Sequence, residues 1–124
     1  MIRGKRAVNL RHSGLNCAQA VMCAFSDVVG TQGDDLKKMG AAFGSGMGCM
    51  EATCGALCGA EIILGMKKYD EKNLMKASAD LLKNFEKKCG ATICKVLKGK
   101  TTGVVLCECD DCVENACKAL EMVL

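Results

Sequence analysis

Eleven of the chain's 124 residues are cysteine. Thiolates bind soft metal ions and iron–sulfur clusters and attack disulfides, while free thiols also pack as small core residues. An odd number cannot pair completely within one chain, so a disulfide scaffold explains them poorly. Cys107, Cys109, Cys112 and Cys117 form a dense C-x-C-x2-C-x4-C tail. A compact four-thiolate zinc site shows two short pairs well separated, and this tail has no such partner pair upstream. His12 is the only histidine, which excludes two-histidine zinc sites and extended histidine-based catalysis. A Cys17–His12 pair stays open beside the simpler reading of a surface histidine. The carboxylate pairs Asp34-Asp35 and Asp110-Asp111 fall at expected helix starts, where capping explains them better than acid–base catalysis.

The elements that must position these thiols read as helices. A weak helical spacing covers 2–11. Asn16 is the expected cap of a helix over 16–29, with Ala20, Val21, Ala24, Phe25 and Val28 at three- and four-residue intervals. A short helix follows over 34–43, burying Leu36, Met39, Gly40 and Phe43. Gly44-Ser45-Gly46-Met47-Gly48 lacks the Lys-Ser/Thr of a nucleotide loop and reads as a tight turn allowing close backbone approach. A helix over 53–66 carries a small-residue stripe of Gly55, Ala56, Gly59 and Ala60. Asp70 is expected to cap a long amphipathic helix to Lys88, with Leu74, Ala77, Leu81, Leu82 and Phe85 inward. Thr92 caps a short helix, and Asp110 or Asp111 opens a terminal one. No alternating strand pattern occurs, and the chain contains no Pro. The expected fold is therefore all-α, a compact single-domain bundle of five or six helices over residues 1–124.

Placed on this map, four cysteines stand apart. Cys17 follows the cap Asn16, Cys54 follows Thr53, Cys94 lies two residues after Thr92, and Cys109 precedes Asp110. Each lies near the start of a different helix, where unsatisfied N–H groups and the helix dipole favour thiolate. Four thiolates holding an iron–sulfur cluster carry net negative charge, which such surroundings stabilise. Cys23 reads as core. Cys54 and Cys58 lie one turn apart on a shared helix face. Cys49 and Cys89 stand scattered.

The same residues resemble a family. Asn16-Cys17-Ala18-Gln19-Ala20-Val21, Phe43-Gly44-Ser45-Gly46-Met47-Gly48 and Cys54-Gly55-Ala56-Leu57-Cys58-Gly59 are similar to redox-active proteins named for a C…CGAxxG…C…C pattern. Cys94 with Val96-Leu97 fits the third cysteine. Cys109, with Val113 and Ala116 beyond it, fits the fourth better than Cys112 does. The resemblance spans nearly the whole chain and implies a helical domain whose characteristic cysteines are Cys17, Cys54, Cys94 and Cys109. It also implies a two-iron two-sulfur cluster, which is associated with related domains joined to haem-binding segments in electron-transfer proteins. This chain has no C-x-x-C-H haem motif, and no enzymatic reaction follows from the resemblance. The surplus Cys49, Cys58, Cys107 and Cys112 depart from the pattern.

The expected function is thus iron–sulfur electron transfer or redox sensing, with a redox partner protein and with homodimerisation open. Its rivals are a thiol–disulfide oxidoreductase using Cys54 and Cys58, and a structural zinc protein. A net charge of +3 without a basic stripe or stacking aromatics argues against nucleic acid. No run approaches the roughly 20 apolar residues that span a bilayer, and no signal-peptide pattern follows Arg3, Lys5 and Arg6. A cytoplasmic location is expected, where thiols stay reduced.

Overall fold

The computed structural model describes residues 2–124; Met1 lies outside them. Among the described residues the chain is helical without strands. The helices are α1 (Ile2–His12), α2 (Cys17–Ala24), α3 (Ser26–Val29), α4 (Gly33–Gly40), α5 (Gly55–Lys68), α6 (Leu74–Cys89), α7 (Cys94–Leu97) and α8 (Cys109–Glu121). A π-type turn, Gly46–Met50, makes a ninth helical element where five or six were expected. The all-α expectation holds, while the count is higher because local capping divides what periodicity joins.

Phe25 shows how. Its backbone leaves the helix at φ −111° and ψ 17°, splitting the expected 16–29 helix into α2 and α3. Its ring is fully buried. Arg3 of α1 lies over that ring, 4.9 Å from its centroid, and donates at 2.7 Å to the Ala24 carbonyl. The break thus has partners for both its apolar and its polar groups. Similarly, α6 starts at Leu74 rather than Asp70, because α5 runs on to Lys68 and residues 69–73 make the turn. Leu82 and Met39, expected inward, are 39% and 43% exposed.

α2 is the central helix. Its Ala18, Ala20, Val21, Met22, Cys23 and Ala24 are all buried, as expected for a helix covered on most sides. It packs mainly on α5, with α1 and α4 also against it, while α8 closes against α1, α5 and α6. Gly59 permits the α2–α5 approach: a Cβ there would stand 2.6 Å from the Ala18 carbonyl oxygen. Phe25, Phe85, Met22, Leu36, Leu57 and Ile63 are among the fully buried side chains. Burial of one such side chain contributes about 1.5–3 kcal/mol, so the chain has an apolar core independent of its thiols.

The N-terminus of α2 is fixed by a capping box. Asn16 Oδ1 accepts from the Gln19 amide at 2.8 Å, and Gln19 Oε1 accepts from the Asn16 amide at 2.9 Å. Both side chains also reach α4, Asn16 donating to the Gly40 and Ala41 carbonyls and Gln19 to that of Lys37. These bonds satisfy carbonyls that a helix end leaves unpaired. They also set Cys17, the first residue of α2, firmly in place.

Candidate metal centre

Cys17, Cys94 and Cys109 are the first residues of α2, α7 and α8, and Cys54 is the N-cap of α5. All four line one cavity of about 260 Å³, together with Arg11, His12, Ser45, Lys98 and Cys112. An antiparallel bridge between Thr53 and Ile93 sets two of them side by side. Within it the Cys54 amide donates to the Thr92 carbonyl at 2.7 Å, and the Cys94 amide to the Ala52 carbonyl at 3.0 Å. This pairing aligns the starts of α5 and α7, which sequence periodicity does not relate.

The glycines of the two central motifs clear the space. A Cβ on Gly55 would lie 2.5 Å from Cys17 Sγ and 2.7 Å from the Phe43 carbonyl oxygen. One on Gly46 would lie 2.6 Å from Cys94 Cβ. The turn carrying Gly46 holds three non-glycine residues, Ser45, Met47 and Met50, at φ between 53° and 64°. Such left-handed backbone costs on the order of 1–3 kcal/mol per residue and concentrates at functional sites. The strained turn borders the cavity, where Ser45 forms part of the wall. It gives the close backbone approach expected of the glycine-rich segment.

The cavity is electropositive where the thiols are not. Lys98 donates to Cys109 Sγ. Its own pKa is raised: burial would lower it, but Cys109, Cys94 and Cys17 together outweigh burial. Arg11 and His12 pair with Asp110 at 2.9 and 2.7 Å, fastening the end of α1 to the first turn of α8 beside Cys109. His12 is thus an exposed histidine at the cavity rim, hydrogen-bonded to Asp110. The Cys54 thiol is pushed down, chiefly by a hydrogen bond from Cys112 against the effect of burial, with the Ala56 and Leu57 amides assisting. Burial pushes Cys17 up, opposed by the Ser45 and Ala18 amides. It pushes Cys94 up as well, opposed by Lys98.

A second group of thiols lies behind the first. Cys89 at the end of α6, Cys107 before α8, and Cys112 in α8 have sulfurs all within 4.8 Å of one another, and all three are buried. Asn115 Nδ2 donates to Cys89 Sγ at 3.5 Å. Cys112 donates to the Cys107 carbonyl at 3.6 Å, and the neighbouring Cys54 and Cys89 thiols, followed by burial, push its own thiol strongly up. The tail still has no upstream cysteine pair, but packing of α6 on α8 brings in one thiol, Cys89, which the sequence left scattered. Lys98 and the Ser45 amide were also missed. Lys98 falls in a loop, and its only sequence signal was proximity to Cys94, one helical turn earlier.

The remaining cysteines separate cleanly. Cys23 and Cys117 are core residues, and Cys49 is exposed. Cys58 lines a different groove, with Phe43, Glu61 and Ser78, and is not part of the cavity wall around Cys54. Burial, followed by the Cys54 and Cys17 thiols, pushes it up to about 11. It therefore stays protonated near neutral pH.

Fold and site together define a helical, cysteine-rich protein with a thiol group able to hold a metal ion. A family model described as "Putative redox-active protein (C_GCAxxG_C_C)" matches residues 15–123, and the chain belongs to that family. That family's name writes glycine before cysteine in its central block, whereas this chain reads Cys54-Gly55-Ala56. Comparison with curated proteins and with solved structures gives no match. No described helix is long and apolar enough to cross a membrane.

Proposed function

We propose that the cavity holds an iron–sulfur cluster of the two-iron two-sulfur type, ligated by Cys17, Cys54, Cys94 and Cys109, and that the protein transfers or senses electrons. The observation that carries this reading is four thiols from four helix starts lining one cavity. The donor set fits the group, since both common cluster types take four cysteine ligands. The choice of the two-iron form rests on the family resemblance. The cavity of about 260 Å³ fits as well, being several times the roughly 30 Å³ share of a water molecule. A single tetrahedral zinc ion with bonds of about 2.3 Å would draw four thiolates to about 3.8 Å of one another. Among the described residues the one group of sulfurs within 4.8 Å of one another is Cys89, Cys107 and Cys112. The wider cavity set suits a polynuclear group better than one ion.

A cluster held there would supply one-electron chemistry. The chain's own residues supply the setting: Lys98 and the helix amides offset negative charge, and burial of Cys54 and Cys94 limits water on that side, while Cys17 and Cys109 stay partly exposed. A redox partner protein would exchange electrons with the cluster. The oxidoreductase reading is disfavoured because Cys58 faces a separate groove and keeps its proton. Anaerobic purification followed by iron, zinc and acid-labile sulfide analysis tests the proposal. Stoichiometric iron and sulfide with a visible chromophore are expected. A colourless protein that also fails reconstitution under reducing conditions sinks it.

A further inference from the structure

Cys89, Cys107 and Cys112 come from three separate places: the last residue of α6, the loop before α8 and the first turns of α8. A plain thiol core needs no convergence, yet these three sulfurs lie within 4.8 Å of one another. Asn115 directs an amide N–H at Cys89 Sγ, and an N–H donor suits a thiolate better than a thiol. This is the outer-shell contact that ligating groups usually have. A shallow groove lined by Lys88, Cys107, Asp111, Asn115 and Lys118 leads from the surface to Cys107. It gives a metal ion a way in past Glu108, Asp111 and Glu114, whose carboxylates attract a cation, while Lys118 is paired with Glu114.

We propose that Cys89, Cys107 and Cys112 form a second site, adjoining the cavity at Cys112, that binds one thiophilic d10 cation, Zn²⁺ or Cu⁺. Three thiolates and no carboxylate or histidine among the ligands select soft metals. Binding is an exchange without redox change: each thiol releases its proton to solvent, and three metal–sulfur bonds replace three S–H bonds. Zn²⁺ so bound takes its fourth ligand from water in the groove, whereas Cu⁺ needs none. Closure from the observed spacing to about 3.8 Å requires sulfur shifts of an ångström or less. Cys112 also lines the cavity, so a metal ion here would hold it away from the cluster ligands.

The test is equilibrium dialysis of the full, anaerobically reduced chain against buffered Zn²⁺ and, in parallel, buffered Cu⁺. Cys107→Ala and Cys89→Ala should each weaken binding at this site at least about 100-fold, and Asn115→Leu about 10–100-fold, as loss of an outer-shell partner does. Cys23→Ala, outside both groups, should leave it within about threefold, and X-ray absorption of the zinc form should show three sulfurs near 2.3 Å. The arm with tighter binding identifies the metal. Binding that survives both Cys107→Ala and Cys89→Ala, or that disappears only with Cys94→Ala, overturns the proposal. Asn115→Leu keeps the test decisive if a cysteine variant fails to fold, as judged by circular dichroism. The visible chromophore reports the cavity alone and should persist in Cys107→Ala. Its absence from the wild-type protein would count against the cluster and leave this site standing.

Discussion

The cavity thiols and the thiols behind them share α8 but differ in what surrounds them. Around the cavity, Cys17, Cys54, Cys94 and Cys109 sit at helix starts, with Lys98 and Arg11 in the wall and a volume of about 260 Å³ between them. At the rear, Cys89, Cys107 and Cys112 touch one another and are 7% exposed or less. One arrangement leaves room for a multi-atom group, and the other for a single ion. The contrast teaches that ligand spacing, more than cysteine number, decides which chemistry a thiol group can support.

The largest effect expected is from the cavity ligands. Replacing Cys17, Cys54, Cys94 or Cys109 singly by Ser should abolish or strongly weaken the chromophore and lower the melting temperature, because binding free energy at such sites is also folding free energy. Cys112 can swap into the cluster, so Cys109→Ser should be read beside the Cys109→Ser/Cys112→Ser double variant. Full iron, sulfide and spectra in all four single variants would erase the distinction between the two regions.

A smaller effect comes from the space itself. Gly55→Ala puts a Cβ against Cys17 Sγ and the Phe43 carbonyl, and overpacking of this kind costs about 1–3 kcal/mol. Denaturant unfolding should show that loss, and reconstitution should yield less cluster. Gly65→Ala on the same helix meets open space and should stabilise by about 0.4–1 kcal/mol. Equal results for the two would mean that the Gly55 cradle is not needed.

Alkaline pH tests two thiols outside both groups, Cys117 in the core and Cys58 in its groove. Burial pushes Cys117 up to about 12 and Cys58 up to about 11, from 9.0. A raised folded-state pKa means the native state keeps protons that the unfolded chain releases. Stability from these groups is complete below pH 9 and falls as pH rises toward 11–12. Melting temperature against pH under reducing conditions should show this decline, and Cys117→Ala should flatten it. The smallest effect is at Cys23, a buried thiol outside both groups. Cys23→Ala should cost roughly 1 kcal/mol of packing and leave the colour intact.

The helical class was legible because its signals are local: three- and four-residue apolar spacing, the Asn16–Gln19 cap, and no proline. The placement of Cys17, Cys54, Cys94 and Cys109 at helix starts was legible for the same reason, since a cap and its neighbour are adjacent in sequence. Periodicity could not show the break at Phe25, which depends on Arg3 from another helix. Nor could it show the bridge between Thr53 and Ile93 that aligns Cys54 with Cys94. Gathering Cys89 with Cys107 and Cys112, and turning Cys58 into a separate groove, required the packing of α6, α5 and α8. Sequence by itself determined which thiols stand at helix ends. Only tertiary structure decided which of them share a space, because side chains 15 or more residues apart meet through helix packing that no local pattern encodes.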